Sequence, residues 1–329
     1  MAILVTGGAG YIGSHTVLEL LNMSEDIVVV DNLQSGHKKA VLGGKLYLGD
    51  IRSDSLLDNI FRENDIEAVI HFAADFFFGD TFIDSIKHYN NNVVSTAKLL
   101  SKMKDYGVNK IIFSSTAVTY GEPEAIPIIE SEKTIPNNPY GETKLAVEKL
   151  LKWADETYNI KYVSLRYYNA IGAHRSGIIG EDHNPKRHLI PIIFNTALGK
   201  NSLVYIYGDN YSTSDGTLVR DYIHVSDLVL AHLSALNKLR SVGKSDIYNV
   251  SYGKGFSVKE MLVMAREVTG VNINAVVTHR KPGYPSVLIS SPAKIKEELN
   301  WTPKYNDMRE ILDTAWRWHK YNPNGFNDQ

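Results

Sequence analysis

Short apolar segments alternate with amphipathic segments along the first half of the chain. Six apolar runs lack strict alternation and predict strands buried on both faces, at residues 3–5, 27–30, 46–48, 68–72, 110–113 and 162–166. Helical periodicity appears between them, at residues 15–22, 55–64, 89–106 and 141–158. This order of strand and helix predicts an α/β fold with a Rossmann-like, doubly wound parallel sheet.

The pattern changes after Asn169. Residues 170–188 are rich in Gly, His, Asp and Pro and predict a long loop. Beyond it we predict a strand at 204–207 and helices at 190–198, 257–269, 293–299 and 308–321. Tyr205 and Tyr207 lie on one face of that strand, which favours packing over base stacking. We expect a first domain over residues 1–169, to which residues 222–250 return, and a smaller C-terminal α/β lobe formed mainly by residues 170–329.

A glycine-rich turn joins the first predicted strand to the first predicted helix. Gly7, Gly10 and Gly13 allow a tight turn, a close approach of backbone to phosphate, and close packing of helix on strand. The helix N-terminus would then face the pyrophosphate of a dinucleotide. Asp31 ends the second strand, where a carboxylate binds both adenosine-ribose hydroxyls and repels a 2′-phosphate, so the pattern favours NAD over NADP. Asp50, after the third strand, is a candidate for the adenine edge.

A second group of residues predicts redox chemistry on a hydroxyl group. Tyr140 and Lys144 lie four residues apart and share a helix face. An ammonium group lowers the pKa of a nearby phenol, so Tyr140 is a candidate base for a substrate hydroxyl. Thr116 follows the fifth strand, at the sheet edge where parallel sheets bind ligands. We therefore expect Tyr140, Lys144 and Thr116 to be the catalytic residues.

Composition narrows the choice of partners. The chain has 35 basic and 37 acidic side chains, so no global charge favours nucleic acid or an anionic membrane. It has no cysteine, which excludes disulfides and thiolate metal sites, and no uncharged stretch long enough to cross a bilayer. We expect a cytoplasmic protein. His174, His183 and His188 share a loop with acidic residues, but their spacing fits no usual ligand pattern, and we expect no metal.

The motifs together resemble those of a known family. Thr-Gly-x-x-Gly-x-x-Gly with Tyr-x-x-x-Lys looks like the extended short-chain dehydrogenase/reductase superfamily, and further stretches in both halves resemble the UDP-glucose 4-epimerase family. These stretches are Asp31-Asn32-Leu33, His71-Phe72-Ala73-Ala74, Asn91-Asn92-Val93, Asn138-Pro139-Tyr140-Gly141, Leu165-Arg166-Tyr167-Tyr168-Asn169, Gly180-Glu181-Asp182-His183, Arg220-Asp221-Tyr222-Ile223-His224 and Trp316-Arg317-Trp318-His319. The resemblance implies tightly bound NAD and a UDP-hexose substrate. The implied reaction is reversible 4-epimerisation of UDP-glucose and UDP-galactose through a transient 4-keto sugar and enzyme-bound NADH, as in galactose metabolism.

The resemblance also implies roles for individual residues. Tyr140 would remove the O4 proton, Lys144 would hold the nicotinamide ribose, and Thr116 would orient the 4-hydroxyl. The expected cofactor contacts are Gly7, Gly10, Tyr11, Ile12, Gly13, Asp31, Asn32, Asp50, Ile51, Phe72, Ala73, Ala74, Asn91, Ser114, Tyr140, Lys144 and Tyr167. The expected substrate contacts are Thr116, Tyr140, Asn169, His188, Leu189, Arg220, Tyr222, Lys281 and Tyr284.

Three stretches depart from the family pattern. Lys281-Pro282-Gly283-Tyr284 replaces Arg-x-Gly-Asp, so lysine stands where arginine binds diphosphate and tyrosine where aspartate binds ribose; Arg280 is a candidate replacement. Phe76-Phe77-Phe78 stands where the family has one apolar residue. Leu288 lies at the position that gates N-acetylated sugars, and its middling size decides nothing.

Other functions are therefore weighed against the first. One is 4-epimerisation of a UDP-N-acetylhexosamine or another nucleotide sugar, and another is a non-catalytic NAD-binding sensor. A nucleotide-sugar 4,6-dehydratase is disfavoured, because Ala117-Val118-Thr119 supplies no carboxylate beside Thr116.

The helices predicted at 89–106 and 141–158 carry apolar residues on more than one face. One face can pack on the sheet, and the surplus, such as Val94 and Trp153, needs another partner. The resemblance implies a homodimer with a four-helix interface. The alternative is that flanking helices or the second lobe cover this surface.

Overall fold

The strands and helices follow the sequence pattern closely in a computed structural model, which describes residues 1–75, 84–280 and 285–327. The strands are β1 (Ala2–Thr6), β2 (Asp26–Asp31), β3 (Lys45–Leu48), β4 (Ile66–His71), β5 (Lys110–Ser114), β6 (Lys161–Arg166), β7 (Asn169–Ile171), β8 (Val204–Tyr207), β9 (Val219–His224), β10 (Asp246–Asn249), β11 (Gly255–Ser257), β12 (Ala275–Thr278) and β13 (Val287–Leu288). The α-helices are α1 (Tyr11–Asn22), α2 (Asp54–Glu63), α3 (Ser85–Tyr89), α4 (Ser95–Asp105), α5 (Pro139–Tyr158), α6 (Leu189–Ala197), α7 (Val225–Ser241), α8 (Val258–Thr269), α9 (Ala293–Leu299) and α10 (Met308–Tyr321).

A seven-stranded sheet organises the described part of the chain. Its order is β10-β6-β5-β4-β1-β2-β3, and every ladder in it is parallel. The predicted Rossmann-like α/β fold is confirmed. The chain order reverses between β1 and β4, and a parallel sheet opens a crevice at the carboxyl ends of the strands where this happens.

Apolar side chains fill both faces of this sheet, which explains why its strands read as continuous apolar runs. Val17 of α1 and Leu228 of α7 pack with one face of the sheet. Leu57, Leu99 and Leu151, from α2, α4 and α5, pack with the other. The strand β10 enters the sheet beside β6, far along the chain from the first six strands.

Smaller sheets lie beside the large one. The strand β9 pairs with β7, β11 and β13, and β8 pairs with β12. Their core contains Phe194, Met261, Leu312 and Trp316, contributed by α6, α8 and α10. Ser257 caps α8 in a capping box with Glu260, as its sequence predicts.

The helix predicted at 89–106 is not one regular helix. It consists of α3, a π-helical turn over Asn90–Val94, and α4. Such turns are frequent at functional sites. In the described ranges, no helix has both the length and the apolarity to cross a membrane.

Candidate active site

A cavity of about 750 Å³ lies at the carboxyl ends of β1 and β4. Its walls contain every predicted cofactor and substrate residue that the structure describes, from Gly7 to Tyr222 along the chain. Lys281, Tyr284 and the three phenylalanines at 76–78 lie outside the described residues, so their expected roles stay predictions.

The glycine turn at one end of the cavity has no space for a side chain at Gly7 or Gly13. Gly7 has φ +70°, and a Cβ atom there would lie 2.7 Å from the backbone nitrogen of Ala73. A Cβ atom on Gly13 would lie 2.1 Å from the carbonyl oxygen of Gly7. The N-cap residue of α1 is Gly10, which has no side chain to cap the helix, and the first turn carries no acid. The backbone therefore offers the first-turn amides of α1 to an anion.

Asp31 closes the same end of the cavity. Its carboxylate accepts hydrogen bonds from the backbone N–H groups of Ala9, at 3.0 Å, and Leu33, at 2.8 Å. Burial raises the pKa of Asp31 despite these two donors. A carboxylate fixed in this way at the end of β2 is suited to accept hydrogen bonds from ribose hydroxyls.

A short polar chain links the next two predicted residues. The guanidinium of Arg52 donates to Asp50 at 2.6 Å and to the side-chain oxygen of Asn91 at 2.7 Å. This ion pair holds the pKa of Asp50 below its ordinary value. Asn91 lies on the π-helical turn and donates to Asp75 at 2.5 Å. Arg52 and Asp75 line the cavity but were not predicted.

This end of the cavity fits a dinucleotide such as NAD. Gly13 lets the start of α1 pack directly on the backbone of Gly7, the first-turn amides of α1 lie at the cavity, and Asp31 stands at the neighbouring strand end. Together these features match the chemistry of a pyrophosphate next to an adenosine ribose.

Tyr140 is placed by the start of α5. Asn138 caps this helix by accepting a hydrogen bond from the N–H of Gly141 at 2.9 Å, and Pro139 occupies the first helical position. Asn92, on the π-helical turn, donates to the hydroxyl of Thr143 at 2.9 Å. The cap and this bond fix the first turn of α5 against the cavity.

The lysine one turn along α5 is buried beside the phenol. Lys144 Nζ donates to the carbonyl of Ser114 at 2.8 Å and lies 5.9 Å from the ring centroid of Tyr140. Burial lowers the pKa of Lys144 to about 7. Burial also raises the pKa of Tyr140, with a smaller opposing effect from a hydrogen bond with Thr116. The expected lowering of the phenol pKa is therefore not seen in this arrangement, because desolvation of Tyr140 outweighs its hydrogen bond with Thr116.

Thr116 and Tyr167 complete this part of the wall. Thr116 ends the segment after β5, where its side-chain oxygen accepts from the N–H of Val118 at 3.2 Å. The hydroxyl of Tyr167 hydrogen-bonds the hydroxyl of Ser114. The phenol of Tyr140, the ammonium of Lys144 and the hydroxyl of Thr116 thus meet at one wall of the cavity.

A buried ion pair lies behind this wall. Glu148, on α5, accepts two hydrogen bonds from Arg166, at 2.9 and 2.5 Å, and one from Ser115 at 2.6 Å. Only 4% and 3% of the Arg166 and Glu148 side chains are exposed. The pair joins α5 to β6 and to the segment that carries Thr116.

The other end of the cavity is built from side chains of distant segments. The ladder between β7 and β9 sets Asn169 opposite Tyr222, and the ladder between β13 and β9 sets Leu288 opposite Arg220. The Arg220 guanidinium donates to the carbonyls of Val219 and Pro285, each at 2.8 Å, and to that of Ser286 at 3.4 Å.

More basic groups line this end, from the loop before α6. Lys186, Arg187 and His188 are adjacent in sequence, and all three reach the cavity wall. His188 is also the N-cap residue of α6, which has no side-chain cap and no acid in its first turn. This end is therefore suited to bind an anion with two or more charges.

One expectation about the C-terminal half stays a prediction and another is wrong. The guanidinium of Arg280 lies 3.8 Å from the ring centroid of Tyr211, and its expected contact with diphosphate stays a prediction. Tyr205 and Tyr207 are not packed, since 55% and 41% of these residues are exposed, and Tyr207 lines the cavity. The signal available in the sequence was that the two tyrosines occupy alternate positions on one face of the strand, and that no helix was predicted to cover that face.

Glu181 is a further residue that sequence reasoning did not assign to the site. One of its oxygens lies 3.0 Å from Nδ1 of His183 and 2.7 Å from Nδ1 of His188. The closeness of these three groups, within 4.8 Å, is explained by hydrogen bonds to one carboxylate oxygen. The expectation that the chain holds no metal stays a prediction.

Comparisons with known proteins agree with the fold and the cavity. Residues 3–251 match the NAD dependent epimerase/dehydratase family. A protein from Halalkalibacterium halodurans named UDP-glucose 4-epimerase is 53% identical over 100% of this chain and 98% of its own length. The chain therefore belongs to the NAD-dependent epimerase/dehydratase family, and its full-length relatives include UDP-glucose 4-epimerases.

Solved structures support the same placement. A UDP-glucose 4-epimerase from Bifidobacterium longum, crystallised in complex with NAD+ and UDP, is 37% identical and superposes with a TM-score of 0.94 over 99% of this chain and 100% of its own. A UDP-Glc/GlcNAc 4-epimerase from Campylobacter jejuni is 40% identical, with a TM-score of 0.84 over 97% of this chain and 99% of its own.

Proposed function

We propose that this chain is an NAD-dependent UDP-glucose 4-epimerase, which interconverts UDP-glucose and UDP-galactose through a transient 4-keto sugar. The observation that carries the proposal is one cavity with a dinucleotide cradle at one end, a basic wall at the other, and Tyr140, Lys144 and Thr116 between them. NAD, when bound, supplies the reversible oxidation at C4 of the sugar.

Tyr140 holds and moves the proton at O4. Its phenolate form accepts the proton as C4 is oxidised and returns it to the same oxygen as the sugar is reduced. Thr116 keeps the O4 hydroxyl beside the phenol, which agrees with the hydrogen bond between their side chains. Lys144 binds the nicotinamide ribose and, as a cation, stabilises the phenolate.

Arg220, His188 and the start of α6 bind the diphosphate, while Asn169, Leu189 and Tyr222 line its surroundings. Charge-assisted hydrogen bonds are stronger than those available to a sugar hydroxyl. The substrate is thus anchored by its nucleotide, and the 4-keto sugar can rotate and present its other face to the cofactor.

The Tyr140→Phe variant tests this assignment. It removes the proton acceptor and keeps the ring, so kcat for UDP-galactose should fall about 1000-fold. NAD released by heating the variant should equal that from the unaltered protein. A variant that turns over at the original rate would contradict the role of Tyr140, and absence of NAD from both proteins would contradict the function itself.

Leu288 favours a second substrate class as a candidate. It lies opposite Arg220 on β13, lines the cavity and has a smaller side chain than an aromatic residue would have there. We therefore propose that UDP-N-acetylglucosamine be assayed in parallel with UDP-glucose. A kcat/KM ratio near one would identify a dual-specificity enzyme, and no turnover of the N-acetylated sugar would exclude that candidate.

We also propose that residues 1–169 form the NAD-binding domain, that 222–250 contribute to it, and that 170–329 form mainly the UDP-sugar lobe. The pairing of β10 with β6 and the packing of α7 on the large sheet support this division. Limited proteolysis with and without UDP would test it, since UDP should protect the second set of residues preferentially.

Exposed apolar and aromatic side chains on the segment of α3 and the π-helical turn, and on α5, support a homodimer with a four-helix interface. Val94, Tyr89, Tyr158 and Trp153 expose 42%, 42%, 55% and 63% of their surfaces on the side of the π-helical turn and α5. Light scattering should give twice the chain mass, and Trp153→Glu should yield monomers; a monomeric unaltered protein would contradict the interface.

We propose a cytoplasmic location, which suits a chain without cysteine and is testable by cell fractionation.

A further inference from the structure

We propose that Glu181 is a positioning residue for substrate binding, whose buried carboxylate keeps His188 a cation facing the diphosphate. The inference rests on the proposed function for the identity of the ligand. It adds to that function a residue that does not touch the substrate and a dependence of substrate affinity on pH.

In this pair the negative group, the Glu181 carboxylate, is buried, and the positive group, the His188 imidazole, is partly exposed. The Glu181 side chain is 5% exposed, whereas the His188 side chain is 44% exposed and lines the cavity. The carboxylate oxygen lies 2.7 Å from Nδ1 of His188, so this nitrogen carries a proton and donates it to the carboxylate. The other ring nitrogen, Nε2, then determines the charge: protonated, it is a donor for a phosphate oxygen.

A buried carboxylate favours the charged form of the imidazole. The Glu181 charge raises the pKa of His188 against the opposing effect of burial, and the pKa of Glu181 is lowered by the two histidines. The indole N–H of Trp318 donates to the backbone carbonyl of Glu181 at 3.2 Å, which fixes the backbone that carries this buried carboxylate. The pair therefore presents one positive charge to the cavity and keeps its negative charge behind the wall.

Other charged and titratable groups surround this pair in the described part of the chain. They are Asp182, His183, Lys186 and Arg187 on the same loop, Tyr11 on α1, Arg220 and Tyr222 on β9, and His319 on α10. Burial also raises the pKa of Asp221, which lies between Arg220 and Tyr222 on β9, to about 7. Lys144, which also lines the cavity, has a pKa of about 7 as well, so an experiment must distinguish His188 from both Asp221 and Lys144.

The experiment measures the affinity of the NAD-loaded protein for UDP-glucose by calorimetry between pH 6 and 8.5. The phosphates of UDP-glucose are both esterified and do not titrate in this interval. Affinity should be constant at low pH and weaken as His188 loses its proton. In Glu181→Gln the weakening should begin at least one pH unit lower, and at pH 7.5 the Kd should rise about tenfold.

Two further variants make the result specific. His188→Asn, which retains Asp221 and Lys144, should lose the alkaline weakening. His183→Asn leaves the bond between Glu181 and His188 in place, so its pH profile should not move to lower pH. If Glu181→Gln weakened binding equally at every pH, Glu181 would have only a structural role and the proposal would be overturned.

A direct titration separates this inference from the proposed function. Proton–carbon NMR of histidine-labelled protein, with His188→Asn to assign the signal, should give His188 a pKa above the ordinary value of about 6.5. Glu181→Gln should lower that value by more than one unit. This readout needs no turnover, so an inactive protein with a raised His188 pKa would contradict the epimerase proposal alone, and an ordinary His188 pKa in an active enzyme would contradict the role of Glu181 alone.

Discussion

The two ends of the cavity are formed by different groups of the chain, backbone at one end and side chains at the other. At the cofactor end, one continuous segment around Gly7 and Gly13 supplies backbone groups, and an added Cβ atom at either glycine would meet other backbone. At the other end, Arg220, His188 and Tyr207 arrive from separate segments to line the wall, and we expect them to bind through their side chains. A site made of backbone is intolerant of added atoms, whereas a site made of side chains can change its ligand one residue at a time.

The largest expected effect breaks the cofactor end. Gly13→Ala forces a Cβ atom to within 2.1 Å of the Gly7 carbonyl oxygen, so we expect loss of bound NAD and a free energy of unfolding lower by about 3 kcal/mol. Urea unfolding and heat-released NAD measure both effects.

Gly10→Ala is the matched control for this change. Its Cβ atom would lie 3.3 Å from the same oxygen, and the φ of Gly10, −77°, suits alanine. We expect its free energy of unfolding to fall by less than about 1 kcal/mol. Equal damage from both variants would show that packing at Gly13 is not what the turn requires.

A smaller effect is expected when a charge is removed from the substrate end. Arg220→Met removes the guanidinium from the diphosphate site, and the KM for UDP-glucose should rise about 30-fold, as expected for loss of a charge-assisted hydrogen bond. Arg220→Lys keeps the positive charge but loses the forked guanidinium, so its KM should lie between those of the unaltered protein and Arg220→Met. NAD content should not change in either variant; if it fell, the two ends would not be separable.

The smallest effect is expected at the mouth of the cavity. Tyr207 is an exposed aromatic side chain at the wall, and we expect it to stack on the uracil base, so Tyr207→Ala should raise the KM for UDP-glucose about tenfold. Tyr205, on the same strand face but away from the cavity, is the control, and Tyr205→Ala should leave KM within about twofold. Equal KM values for both variants would argue against a stacking role.

The same contrast explains what sequence could predict. The Gly7–Gly10–Gly13 spacing and the acid at Asp31 are local patterns, because strand, turn and helix are consecutive and the contacts they make are fixed by backbone geometry. The large sheet was predictable for a related reason: strands buried on both faces are continuous apolar runs. The pairing of Tyr140 with Lys144 was predictable because one helical turn separates them.

The substrate end gave weaker signals for physical reasons. The strands β7, β11 and β13 have only two or three residues each, too few for any periodicity to appear. Arg220 and Leu288 face each other only because β9 and β13 pair, which no local pattern records. The resemblance to a known family located Arg220 and His188, but it did not indicate Glu181 as the partner of His188 or place Tyr207 at the wall.

The buried ion pair of Glu148 and Arg166 has a consequence for how this enzyme can diverge. Removing either partner leaves an uncompensated buried charge, at a cost of about 3–5 kcal/mol, although replacing both by apolar residues of similar volume is often neutral. Neither position can therefore change first without passing through an unstable intermediate sequence. The two positions are epistatic. A library that varies one codon at a time should yield no stable variants at either position, whereas a library that varies both codons together should yield them.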